Sequence, residues 1–208
     1  MSWLARMILD RDDLAACRLV DNYDWHKAVW QCFPGRPDAH RDFLLRLDWL
    51  PDGCRVYVLC ETPPARPPWC PEACWEVGEV APGFLGHSRY RFDLKANPTR
   101  KLVVRDAAGE RRGQGRRVPL LREDERRQWL ATKGEQHGFC LEEGSPLSID
   151  PAGRHPFQRH GKDGVHVGAR FRGVLRVTDR ERFALAFRKG VGSAKAFGFG
   201  MLLLQPLA

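Results

Sequence analysis

The stretch DFLLRLDWLPDGCRVYVLCET, residues 42–62, sets two apolar runs on either side of Pro51-Asp52-Gly53. Proline presets the first bend of a turn and glycine supplies the backbone freedom that closes it, so the two runs read as the arms of a β-hairpin. Upstream, residues 3–9 (WLARMIL) read as a strand. A helical stretch starts at Asp12, runs to about Val20 and resumes after Asn22-Tyr23 through DWHKAVWQCF to Phe33. In the resumed part Trp25, Val29 and Cys32 keep a helical period, and His26 and Trp30 form the neighbouring stripe. Downstream, PPARPPWCPEAC (63–74) holds too many prolines to continue a strand; it reads as a short helix that leads into a strand at WEVGEV, 75–80. Strand, helix, strand, strand, helix, strand is the ferredoxin-like order.

A second pass of the same kind follows. RYRFDLKANP (89–98) alternates like a strand, EDERRQWLATKGEQ (123–136) is helical, and GFCLEE (138–143) opens another strand. GVHVGARFRGVLRVTD (164–179) is one long strand or a pair, RERFALAFRK (180–189) a helix, and AFGFGMLLLQ (196–205) the last strand. The predicted class is therefore α+β: two tandem ferredoxin-like (RRM-like) domains with antiparallel sheets, over residues 1–84 and 88–208, with the boundary in VAPGFLGHS, 80–88. Trp3, Trp49 and Trp75 are assigned to the core.

Charge divides at the same place. Residues 1–87 carry 9 basic and 13 acidic side chains, residues 88–208 carry 25 and 13, so the halves stand at −4 and +12. That asymmetry favours a polyanion, nucleic acid foremost, docking on the second half. No run reaches membrane-spanning length, and the opening residues lack the cleavage site of a signal peptide, so no membrane partner is expected. Seven cysteines, an odd number set mostly in apolar stretches, fit reduced thiols in a cytoplasmic protein. Cys70 and Cys74 have no matching second pair, and no zinc or other metal site and no cofactor is expected.

Four glycines crowd residues 190–200 of RKGVGSAKAFGFGMLLLQ (188–205). No Gly-Lys-Ser/Thr follows at Walker spacing, and GVGSAK lacks the third glycine of a dinucleotide fingerprint, so nucleotide-phosphate loops are excluded. KAFGFGML overlaps the RNA-recognition consensus at Lys195, Phe197, Gly198 and Phe199, although on the last strand instead of an internal one; a glycine-lined turn with Phe197 and Phe199 in the core is the competing reading.

The segment GVGSAKAFGFGMLLL resembles the C-terminal glycine-rich loop of the CRISPR repeat-processing endoribonucleases. YDWHKAVWQCFPGRPDAHRDFLLRL (23–47), YRFDLKANPTRK (90–101), GRRVPLLREDERRQWL (115–130) and FRGVLRVTD (171–179) resemble, in the same order along the chain, the CasE family of type I-E systems. The resemblance implies tandem ferredoxin-like domains, cleavage of precursor CRISPR RNA at the 3′ base of each repeat hairpin, and retention of the product with the other subunits of Cascade. The family's catalytic histidine falls on His26 and its active-site tyrosine on Tyr23. Metal-independent cleavage needs a group that handles the 2′-hydroxyl proton, and His26, which titrates near neutrality at the start of a helix, meets that need. Lys27 is a candidate contact to the scissile phosphate, with a solvated lysine as the alternative.

Two basic segments are candidates for the RNA stem. NPTRKLVVRDAAGERRGQGRR (97–117) carries Lys101, Arg116 and Arg117 in a glycine-broken hairpin, and RHPFQRHGKDG (154–164) reads as a second protruding hairpin. Stem RNA is read mainly through backbone and shape by such projections. The resemblance implies a grip on the stem by Arg159, His160 and Lys162, His160 standing where a relative has arginine. Gly190, Gly192 and Lys195 of the glycine loop complete the expected RNA surface. Ser193 and Ala194 depart from the commoner Gly/Pro variants, with a small expected effect. A non-catalytic RNA-binding module with the same surface is the alternative function, and Tyr23-x-x-His26 is what sets the two apart.

Overall fold

The computed structural model describes residues 1–19, 22–35, 41–102, 117–159 and 162–207, with backbone alone at 22, 23, 157–159, 162 and 163. The first sheet begins with β1 (Trp3–Asp10), which sends Ala5, Met7 and Leu9 to one face. Asp10 then caps α1 (Arg11–Cys17) by accepting from the backbone N–H groups of Asp12 and Asp13, while the Asp13 carboxylate answers the Asp10 N–H. α2 (Asn22–Trp30) follows, and β2 (Phe43–Leu50) and β3 (Gly53–Cys60) pair as the hairpin read from residues 42–62. Gly53 is required where that hairpin closes against β1, since a Cβ there would lie 2.0 Å from the Leu9 carbonyl oxygen. β4 (Trp75–Glu79) completes an antiparallel sheet of order β2-β3-β1-β4.

The proline-rich stretch forms only a 3-10 turn, Glu72–Cys74, in place of the expected short helix. Trp49 is 53% exposed, against the core position expected for it. It sits opposite Cys54 next to the turn, beyond the cover of α2, where the sheet outruns its core. Trp3 and Trp75 pack at the margin of the core.

The second sheet repeats the scheme. β5 (Arg89–Ala96), α3 (Glu123–Gln136), β8 (Phe139–Leu141), β10 (Lys162–Val177), α4 (Arg180–Lys189) and β11 (Leu202–Pro206) give the order β11-β5-β10-β8, the arrangement of the first sheet with its strands renumbered. Two additions interrupt it: the short ribbon of β6 (Thr99–Lys101) and β7 (Arg117–Pro119), and β9 (Ser148–Arg159), which pairs along β10. The stretch 164–179 is thus part of one long bulged strand, and the last strand starts at Leu202, six residues later than predicted, because glycines 198 and 200 hold positive φ.

Each sheet has its own core, the first around Trp25, Phe43 and Val56, the second around Tyr90, Phe92, Phe171 and Phe183. A third cluster, Leu44, Leu59, Phe187 and Met201, joins them. It explains why Phe43, Leu44 and Leu45 follow one another without alternation: the first five residues of β2 are buried on both faces. Beside that cluster the fully buried Arg46 donates to both Asp48 carboxylate oxygens at 3.1 Å, to the Asp93 backbone oxygen at 2.9 Å and to Asp93 Oδ1 at 2.8 Å, while Arg170 of β10 binds Asp93 from the other side.

Candidate active site and nucleic-acid interface

The site begins with α2. Trp25, Ala28 and Val29 fill its inner face, and the Trp69 indole stands edge-on to Trp25 at 5.8 Å and donates to the Ala28 carbonyl at 3.2 Å. With that face fixed, His26 falls on the adjacent stripe, half-buried, its ring 5.8 Å from Phe43 and 6.3 Å from Trp30. His26 Nδ1 is buried and has no hydrogen-bond partner among the described residues. Burial, and next to it the positive charge of Arg41, hold the imidazole below its usual range, so the ring is neutral at pH 7.

The second part comes from the far end of the chain. α4 ends at Gly190, whose φ 76°, ψ 159° is glycine territory and whose Cβ would meet Gly200 O and Leu44 Cδ2 at 3.0 Å. Val191 N–H donates to Gly200 O at 2.8 Å and Gly200 N–H to Lys95 O at 2.7 Å, closing the loop. Inside it a 3-10 turn, Lys195–Phe197, packs against both α2 and β2 and brings the half-buried Lys195 within reach of the Arg41 charge. Burial first, then Arg41 and Lys133, push the Lys195 ammonium down. Phe199 is fully buried and Phe197 partly so, in accord with the packing reading of these rings.

Beside Lys195 opens a cleft of about 330 Å³ where Lys101, Arg117, Lys133, His137 and Lys195 converge around Gly192, with no carboxylate in its lining among the described residues. Burial, then Lys133 and Lys195, lower His137. Cations gathered in this way repel one another and call for an anionic ligand. A larger apolar groove, about 720 Å³ between β4 and β11, shares no lining residue with this cleft and holds none of the expected site residues.

The structure therefore brings Lys101, Arg117, Gly192 and Lys195 to one cleft, and the turn that carries Lys195 packs against α2, the helix of His26. Lys27 is exposed and paired with Asp24 at 3.0 Å on its own helix. Arg159 and Lys162 face each other in register at the end of the β9–β10 hairpin, which does protrude as expected; their side chains, and that of Tyr23, lie outside the described set, as do Arg116 and His160. Cys70 and Cys74 are free thiols, and no cluster of three or more potential metal ligands occurs among the described residues. Three residues of the site were not foreseen. Lys133 and His137 continue the helical stripe from Trp129 at four-residue spacing, a signal the sequence did carry. Arg41, ahead of β2, carried none.

A family model described as CRISPR associated protein matches residues 2–206. The CRISPR system Cascade subunit CasE of Escherichia coli (strain K12) is 31% identical over 208 residues, covering 97% of this chain and 100% of that protein. The CRISPR-associated endoribonuclease Cse3 of Thermus thermophilus is 29% identical over 225 residues, covering 98% and 100%. The crystal structure of Thermus thermophilus Cse3 bound to an RNA representing a pre-cleavage complex superposes with a TM-score of 0.72 at 28% identity, covering 99% of each chain.

Proposed function

Since the chain belongs to the CRISPR-associated family, and within it to the CasE type, we propose that it is an endoribonuclease that cuts precursor CRISPR RNA at the 3′ base of the repeat hairpin and keeps the product within a Cascade complex. One observation carries the catalytic part: a half-buried histidine whose pKa is lowered and whose Nδ1 has no partner among the described residues stands on the helix that packs against the glycine loop, and Lys195 of that loop borders a cationic cleft. In this reading the RNA's own 2′-hydroxyl is the nucleophile. Its proton leaves, the O2′–P bond forms and the P–O5′ bond breaks. The 5′-oxygen takes up a proton, leaving a 5′-hydroxyl and a 2′,3′-cyclic phosphate. His26 serves one of the two proton transfers, with Tyr23 beside it one helical turn earlier.

Lys101, Arg117 and Lys195, with the backbone at Gly190 and Gly192, hold phosphates near the cut, and the hairpin carrying Arg159, His160 and Lys162 grips the stem together with Arg116. Lys27 would have to leave Asp24 to join them. A division into residues 1–84, with the histidine, and residues 88–208, with the basic surface, goes with this reading. So does a cytoplasmic location, on the strength of seven free cysteines.

The test is single-turnover cleavage of the repeat RNA from the same genome. His26→Ala should lose at least ~10²-fold in rate while binding a 2′-deoxy repeat as the parent protein does. Cleavage should continue in excess EDTA and stop when the nucleotide 5′ of the cut carries no 2′-hydroxyl. A protein that binds the hairpin and leaves it whole would instead be a non-catalytic RNA-binding module.

A further inference from the structure

Beyond lowering the His26 imidazole and the Lys195 ammonium, Arg41 has been given no task, and its surroundings are unusual for an arginine. It lies two residues ahead of Phe43, the ring against which His26 packs, and its charge reaches the His26 imidazole. Its Nη1 is buried without a hydrogen-bond partner among the described residues, as is His26 Nδ1. Guanidinium stays charged in proteins even where, as here, burial lowers its pKa. A buried, incompletely paired cation is costly and persists where a ligand completes it. Among the described residues, two groups whose titration Arg41 shifts are themselves bases, the imidazole of His26 and the ammonium of Lys195; Asp42 is its neighbour in the chain.

We propose that Arg41 is a catalytic phosphate ligand, whose guanidinium takes a non-bridging oxygen of the scissile phosphate between His26 and Lys195. This rests on the endoribonuclease reading above and deepens it. As the 2′-oxygen adds to phosphorus, negative charge gathers on the non-bridging oxygens before the P–O5′ bond breaks, and a preplaced guanidinium stabilises that charge more than the ground state. The phosphate in turn supplies the hydrogen-bond acceptor that Arg41 lacks. Arginine fits better than lysine because its planar fork can hold two oxygens at once.

The experiment compares Arg41→Gln and Arg41→Lys with the parent protein under saturating enzyme. Loss of one such donor is typically worth ~10²–10³ in rate, so Arg41→Gln should cut at least about 100-fold more slowly, and Arg41→Lys should fall between it and the parent. Binding of the 2′-deoxy repeat should change by less than about threefold. A second readout separates this role from mere support of the fold. The charged groups around His26 are Arg41 ahead of β2, Lys195 in the glycine loop, and Asp24 and Lys27 on its own helix. Removing the charge of Arg41 should raise the His26 titration seen by NMR, whereas Arg41→Lys should leave it in place. An Arg41→Gln protein that cuts within threefold of the parent rate overturns the proposal. So does one that loses affinity and cuts at the parent rate once saturated, for then Arg41 only binds. If Arg41→Gln does not fold, the rate and titration of Arg41→Lys decide: a parent-like rate overturns the proposal, and a loss of tenfold or more with the His26 titration unmoved supports it. Failure of the underlying reading looks different, because then His26→Ala would cut as well as the parent.

Discussion

Ala194 holds φ 60°, ψ 31°, a left-handed conformation, in the middle of the glycine loop. The sequence marks this position only as a departure from Gly or Pro, with little effect foreseen; the backbone shows a cost. Left-handed strain in a residue with a Cβ is roughly 1–2 kcal/mol, and glycine gives back about 0.5–1 kcal/mol in unfolded-state entropy. Ala194→Gly should therefore stabilise the protein by ~0.5–1 kcal/mol, read as a higher urea midpoint with an unchanged slope. Gly200→Ala should do the reverse and more, because its φ is +91° and a Cβ would stand 2.7 Å from Val191 O. His26 could be singled out only through the family resemblance with Tyr23 one turn earlier, since a helical histidine by itself is more often structural; the structure half-buries it on α2. Arg41 was not, because nothing in RPDAHRDFL distinguishes a solvated arginine from one whose Nη1 is closed in by a distant turn; burial of that kind belongs to the tertiary contact.

Among elements, the β9–β10 hairpin makes the clearest case. Its arms pair from Ser148↔Arg172 out to Arg159↔Lys162, with one bulge between Val167 and Ala169 that adds twist. At its base His155 Nε2 donates to Ala152 O, 2.8 Å away, and both His155 and His166 pack on Phe199, so the projection is rooted in the glycine loop. If Arg159 and Lys162 each neutralise a phosphate of the stem, replacing both with alanine should lower the slope of log affinity against log salt by about 1.8, at ~0.9 per contact by analogy with duplex DNA. An unchanged slope in a salt titration would place the stem elsewhere on the surface. The hairpin could be anticipated from the basic, glycine-broken turn. The ribbon of β6 and β7 could be anticipated as a basic, glycine-broken hairpin over 97–117, but three-residue strands leave no periodicity from which to read their bounds or register. The proline-rich 63–74 misled in the other direction, because a 3-10 turn bridges the gap that the ferredoxin-like order would give to a helix.

For the whole molecule, the junction of the two sheets decides whether the site exists at all. Burial alone would raise the Asp93 carboxyl, but the bonds from Arg170 and Arg46 outweigh it and hold its pKa below the usual range. A carboxyl depressed in the folded state gives stability that is in place above its unfolded pKa and lost as pH falls through the folded one. Asp93→Asn removes that charge and leaves Arg46, 0% exposed, with Asp48 as its one remaining anion. A loss of roughly 2–3 kcal/mol at pH 7 is expected, below the range for a wholly buried pair because Asp93 is partly open to water. Urea unfolding at pH 7 and pH 3 checks it: the gap between Asp93→Asn and parent should shrink at the lower pH. The double order of the fold was legible from hydrophobic periodicity. The junction was not, since Arg46 in DFLLRLDWL reads as an outward residue of an alternating strand until Leu44 and Phe187 are seen to cover the same face. Lys95 makes the same kind of link, reaching from β5 to the Leu47 carbonyl at 3.0 Å. The glycine loop that packs Lys195–Phe197 against α2 lies between α4 and β11, and 169 positions of chain separate His26 from Lys195. Closing so long a loop costs chain entropy that only the docking of the two sheets returns, so α2 meets the glycine loop late in folding and parts from it as soon as the sheets separate. A change at the Arg46–Asp93 junction, far from any RNA, should therefore reach the proposed site by loosening that contact.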